Sequence, residues 1–133
     1  MIRQKLEVAT VTQQVNEVIS ITLRPLEGRR PIYKAGQFLT LVFSFQGKEL
    51  RRSYSVYSSP LVDEPLAIAV KLVENGEISR FLHHQLRVGD MVEAAEPNGQ
   101  FFYEPDLIKP RTVFLFAAGV GITPLFSILK TAL

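Results

Sequence analysis

Cysteine is absent from the sequence. Disulfides, thiolate metal sites and a cysteine-ligated iron–sulfur cluster are therefore excluded within this chain. The absence is compatible with the cytosol, and the cytoplasm is the expected compartment. Long hydrophobic runs are missing too. None approaches the roughly 18 residues of a membrane-spanning helix, and the longest, Val113 to Ala118, suits a buried strand. No membrane association is expected. The stretch Met1 to Lys5 opens neither the apolar core nor the cleavage site of a signal peptide. Charge of one sign is also scarce. A net charge of +2, from 15 basic and 13 acidic residues, is no footprint for a nucleic acid. What is present is ordinary: 133 residues, 47% hydrophobic and 21% charged. That suffices for one domain with a sizeable core.

The most informative stretch is Arg52-Ser53-Tyr54-Ser55-Val56-Tyr57-Ser58. A strand-like run from Lys48 to Tyr54 delivers it, and Ser58-Ser59-Pro60 ends it. Alternate side chains of a strand share a face, so Arg52 and Tyr54 point the same way. Together they offer a fixed guanidinium fork and a flat ring with a hydroxyl. Ser55 and Ser58 add small hydroxyls where the strand breaks. An anion joined to a flat ring system suits this set, the guanidinium taking phosphate and the phenol stacking on the ring. A flavin nucleotide is such a molecule. The same residues also suit an ordinary barrel strand with a surface arginine and a half-buried tyrosine.

Residues 6–12 and 18–23 read as strands, the second with Ile19, Ile21 and Leu23 on one face. After a loop around Gly28 comes a strand with Leu39, Leu41, Phe43 and Phe45 on one face, then a glycine turn at Gln46-Gly47-Lys48. Leu66, Ile68, Val70 and Leu72 mark the next strand. Residues 77–86 carry Ile78, Phe81, Leu82 and Leu86 at helical spacing. A short strand, 91–95, and a turn at Pro97-Asn98-Gly99 lead to Phe101-Phe102-Tyr103. Six short strands with one helix predict a closed, all-β antiparallel barrel of Greek-key type.

Residues 105–111 hold Pro105 and Pro110 and read as a linker after a barrel domain of residues 1–104. Beyond it the pattern changes. Thr112 to Ala118 is continuously apolar, as in a strand covered on both faces. Gly119-Val120-Gly121-Ile122-Thr123-Pro124 is a glycine-rich turn, and 125–133 reads as a helix with Pro124 in its first turn. Residues 112–133 are thus expected to be the first βα unit of a Rossmann-like α/β domain. One such unit does not cover both faces of its strand, so the chain is expected to be a piece of a longer protein. Packing of the unit against the barrel or a second copy is the alternative.

In order, these motifs resemble the ferredoxin–NADP reductase superfamily, and within it the flavin- and NAD(P)H-dependent reductase components that serve oxygenases or ferredoxins. The resemblance rests on Gly36-Gln37-Phe38, Arg52-Ser53-Tyr54-Ser55 with Ser58, Ala69-Val70-Lys71, Gly76-Glu77-Ile78-Ser79 with Phe81-Leu82, Gly89-Asp90, Pro97 and Gly99, and the turn from Gly119 to Pro124. It implies an FAD-binding barrel followed by an NAD(P)-binding domain. It further implies that Arg52 holds the flavin pyrophosphate, Tyr54 lies against the isoalloxazine ring and Ser55 bonds near its reactive nitrogen, with Ser53 in the same segment. Ala69, Val70 and Lys71 line the ribityl and pyrimidine side. Gly76, Glu77, Ile78 and Ser79 present a helix start to the pyrophosphate, a role that free amides and the helix dipole favour independently. Gly119 and Gly121 let the nicotinamide cofactor approach the backbone, with Thr123 beside them. Pro124 interrupts a full G-x-G-x-x-G, and Val120 stands where many members carry threonine.

The implied function is an NAD(P)H-dependent flavoprotein oxidoreductase passing electrons to an iron–sulfur or haem partner. Such cofactors carry out hydride and electron transfer themselves, so no catalytic side chain is assigned. A non-catalytic flavin-binding electron-transfer module is the alternative. A barrel binding single-stranded nucleic acid through aromatics and arginines is disfavoured by scattered basic residues. His83 and His84, adjacent on a helix, do not share a face and are read as solvated.

Overall fold

The computed structural model describes residues 3–14, 17–62, 64–72, 76–100, 102–103 and 122–133, without the side chains of Phe45, Glu77, Ile78, Ser79, His83, Ile122, Thr123 and Leu125. Six strands form: β1 (Arg3–Gln13), β2 (Val18–Pro25), β3 (Phe38–Phe45), β4 (Lys48–Ser55), β5 (Leu66–Lys71) and β6 (Met91–Ala95). Two helices accompany these six strands among the described residues, α1 (Glu77–His84) and α2 (Ile122–Ala132). All strand pairs are antiparallel, in the order β4-β3-β6-β1-β2-β5. A bridge between Val56 and Ile68 brings the ends of this order together, and the Tyr57 amide donates to the Ala67 carbonyl at 2.9 Å. The predicted six-stranded barrel is therefore the fold.

Alternation of apolar and polar residues puts one face of each strand inside. Ile19, Ile21 and Leu23 of β2, Leu39 and Leu41 of β3, and Leu66, Ile68 and Val70 of β5 are all within 2% of full burial. Leu6 and Val8 of β1 complete the barrel wall. Val42 is buried although it lies on the other face of β3. Its cross-strand neighbours, Arg51 of β4 and Glu93 of β6, flank it there. The β3–β4 hairpin turns on Gln46 and Gly47, both with positive φ. That is the two-residue turn whose twist matches the strands, and glycine enters it without steric cost.

α1 closes one end of the barrel. Leu82 and Leu86 reach the core, and the Phe81 ring meets Phe43 edge-on at 6.0 Å. The helix ends at His84 rather than Leu86, with Gln85 as the C-cap, whose amide donates the last helical bond to the Phe81 carbonyl. α2 starts at Ile122, with Pro124 in its first turn, rather than at Leu125. Ile128 of α2 packs with Ala35 and Tyr103. The predicted strand at Thr112–Ala118, the linker, and Gly119, Val120 and Gly121 of the glycine turn lie outside the described residues, whereas Ile122, Thr123 and Pro124 of that turn begin α2.

Candidate functional site

β4 positions the central pair. Its register sets Tyr54 opposite Leu39 and Arg52 opposite Leu41. Directly opposed residues of antiparallel strands share a face, so both side chains lie on the inward side of β4. They are not swallowed by the core, because β4 ends the strand order and among the described residues is laddered along its length with β3 alone. Among the described residues the bridge between β4 and β5 is confined to Val56 and Ile68. Before Val56, this edge of β4 is a seam that carries no ladder to β5 among the described residues, although the two strands stay in contact. Arg52 is exposed, and its guanidinium donates to the Arg51 carbonyl at 2.7 Å. Tyr54 is half-buried and packs against the main core. Burial pushes its phenol up to about 12, the nearby Arg52 charge opposing this only in part. The ring therefore stays neutral, a stacking surface with a hydroxyl that keeps its proton.

Ser53 and Ser55 project to the opposite face by the same alternation. The Ser53 hydroxyl pairs with Thr40 Oγ1 at 2.8 Å, and Ser55 stands opposite Phe38. Ser58, expected to offer a hydroxyl to the site, is fully buried in the barrel's own bonding. Its Oγ accepts from the Ala67 amide at 3.0 Å and pairs with the Tyr33 hydroxyl at 3.0 Å. It is a joint of the fold, because a small hydroxyl there satisfies the amide where β4 meets β5.

Across the seam lies the end of β5. Val70 is fully buried, Ala69 is half-buried and Lys71 is exposed. The chain then reaches α1, whose contacts with β5 and Phe43 set it beside the seam. Its N-cap is Gly76, with no side-chain capping bond. A glycine cap puts no side chain of its own over the first amides of Glu77, Ile78 and Ser79, the arrangement that suits an anion at a helix start. Gly119 and Gly121 lie outside the described residues, and Thr123 is described only as backbone in the first turn of α2. The structure therefore sets Arg52 and Tyr54 of β4 on the face beside the end of β5 and α1, turns the Ser53 and Ser55 side chains to the other face, and gives no position for Gly119 and Gly121.

Sequence reasoning missed a second cluster, next to the first. Tyr57 bonds Ser20, and its ring faces Phe126 of α2 at 6.2 Å. The Ser127 hydroxyl donates to the Ser58 carbonyl at 2.6 Å, and Lys130 pairs with Glu64 at 2.6 Å. Only the small residues at 58, 59 and 127 hinted at a close approach. Two surface clefts lie elsewhere, of about 440 Å³ beside residues 29–32 and about 560 Å³ beside residues 64–66. Neither is lined by a predicted site residue.

Residues 9–103 match the oxidoreductase FAD-binding domain family. The chain is 38% identical over 130 residues to one of the subunits of 1,2-phenylacetyl-CoA epoxidase from Escherichia coli, covering 96% of this chain and 36% of the relative. It is 36% identical over 142 residues to the ferredoxin reductase component of 3-ketosteroid-9-alpha-monooxygenase from Mycobacterium tuberculosis, covering 97% and 38%. Among solved structures, the flavohem-like FAD/NAD binding domain of nitric oxide dioxygenase from Vibrio cholerae matches with a TM-score of 0.84 and 30% identity. That match covers 96% of this chain and 56% of the other. The chain thus spans little more than a third of the two curated relatives.

Proposed function

The chain belongs to the oxidoreductase FAD-binding domain family of the ferredoxin–NADP reductase superfamily, and from that premise we propose that it is the FAD-binding part of an NAD(P)H-dependent oxidoreductase. The observation that carries the reading is the seam: an exposed guanidinium and a neutral phenol on one face of β4, with α1, a helix that starts on a glycine cap, packed against β5 and Phe43 nearby. The residues present fit FAD. Arg52 and the first amides of α1, at Glu77, Ile78 and Ser79, supply donors for a pyrophosphate. Tyr54 supplies a ring face, and Ala69, Val70 and Lys71 supply a strand edge for the flavin's polar rim. Bound flavin accepts a hydride from a nicotinamide cofactor and releases electrons one at a time.

The chain's own residues bind and orient. Arg52 neutralises phosphate charge, Tyr54 excludes water from one ring face, and the barrel keeps both rigid. Residues 1–104 form the flavin domain in this reading and 112–133 begin the nicotinamide domain, joined by 105–111. Gly119, Gly121 and Thr123 belong to the nicotinamide side. Relatives named as a ferredoxin reductase component and as a flavohem-like domain support an iron–sulfur or haem acceptor. The cytoplasm is the compartment the reading takes; no helix among the described residues is long and apolar enough to cross a membrane.

The test is direct. Purified chain is incubated with FAD, desalted and scanned in the visible range. Flavin absorbance is expected to co-elute with protein, and its complete loss would reject the reading. Arg52→Ala is expected to weaken FAD binding about tenfold, since a charge-assisted contact is lost. Anaerobic addition of NADH or NADPH then separates an oxidoreductase, whose flavin bleaches, from a non-catalytic flavin module, whose flavin does not.

A further inference from the structure

α2 lies beyond the family match, which ends at residue 103, yet it is bonded to the segment where β4 and β5 meet. We propose that Ser127 and Lys130 of α2 are positioning residues for flavin binding, bracing the closed end of the seam from outside without touching the cofactor. This inference rests on the FAD reading above.

Val56, Tyr57 and Ser58 form the junction. Val56 bridges Ile68, the Tyr57 amide donates to Ala67, and the Ser58 hydroxyl accepts from the Ala67 amide. Beyond this point no ladder ties β4 to β5 among the described residues, so the junction sets how Tyr54 and Val70 stand to each other. α2 grips it at three places. The fully buried Ser127 hydroxyl donates to the Ser58 carbonyl, which also accepts from Tyr33. Thr131 pairs with the buried hydroxyl of Ser59. Lys130 pairs with Glu64, whose other oxygen accepts from the Ser59 amide at 3.2 Å. The Lys130 ammonium also lies 4.4 Å from the Phe126 ring centre and 5.5 Å from that of Tyr57. A buried donor bonded to a backbone carbonyl and a half-buried ion pair resist displacement more than surface contacts do. Tyr57 and Ser58, the two junction residues that α2 touches, lie three and four positions after Tyr54. A shift there is passed along a rigid strand.

The experiment compares wild type, Ser127→Ala, Lys130→Met and Lys130→Arg by FAD titration, bound-flavin fluorescence and thermal melting. Ser127→Ala and Lys130→Met are each expected to weaken FAD binding about fivefold, the worth of one hydrogen bond, and to alter bound-flavin fluorescence. Lys130→Arg, which keeps the charge facing Glu64, restores both. Variants that melt earlier but bind FAD with wild-type affinity and fluorescence would leave α2 a merely structural helix and overturn the proposal. Wild type that takes up no FAD overturns the functional reading itself, and the bracing role with it. Should Lys130→Met fail to fold, Ser127→Ala decides the matter, because it removes a single oxygen.

Discussion

Tyr54 sits where two demands meet. Its ring is pressed against the core, yet its strand borders a seam that carries no ladder among the described residues. Burial raises its phenol to about 12 from the ordinary 10.0. Between those values the folded state holds a proton that the unfolded state has released. The stabilising contribution of the neutral phenol is therefore complete below pH 10 and lost as pH rises through 12. Tyr33, also raised by burial, acts in the same direction. Denaturation midpoints measured across alkaline pH are expected to fall more steeply for wild type than for Tyr54→Phe; parallel curves would show that Tyr54 has no part in the decline. That Arg52 and Tyr54 share a face was readable from their spacing of two. The fate of Ser58 was not, since a hydroxyl just past a strand end reads alike whether it meets a ligand or a backbone amide.

The elements follow from periodicity. The strands with clean alternation, β2, β3 and β5, fall where their patterns predict, because each has one face inside the barrel. Helix ends were less legible. The apolar spacing of α1 continues to Leu86, but Leu86 is buried from a non-helical turn. Leu82, with no exposed surface, carries the docking of α1. Leu82→Ala is expected to cost about 3 kcal/mol, read as a lower urea midpoint. A loss below about 0.5 kcal/mol would mean that α1 docks by other contacts. The turn before Phe102 rests on Gly99, whose φ is +120 and whose missing Cβ would meet a Phe38 ring carbon at 3.0 Å. Gly99→Ala is therefore expected to lose about 2 kcal/mol from strain and contact together. Gly28→Ala, with a φ of +75 and no atom within 4 Å, is expected to lose less, having both the milder backbone strain and no contact.

For the whole molecule, a ligand that binds only the folded barrel must stabilise it. FAD at a hundred times its dissociation constant is expected to add about 2.7 kcal/mol, seen as a melting temperature that climbs with FAD concentration. An unmoved melting temperature at saturating FAD would contradict a site built from the folded seam. The barrel was legible in the sequence because six short alternating segments leave few other ways to bury one face each. The bracing by α2 was not, because it depends on contacts 66 to 72 residues apart along the chain. The seam has one more consequence. A strand whose far side lacks a ladder is a template on which another polypeptide can lengthen the sheet. Lys48, Glu49, Arg51 and Arg52 crowd this strand with exposed charge, and ionic side chains deter such pairing. The guanidinium proposed to hold a phosphate thus also wards off the protein's own copies, so taking it away is expected to endanger solubility as well as affinity.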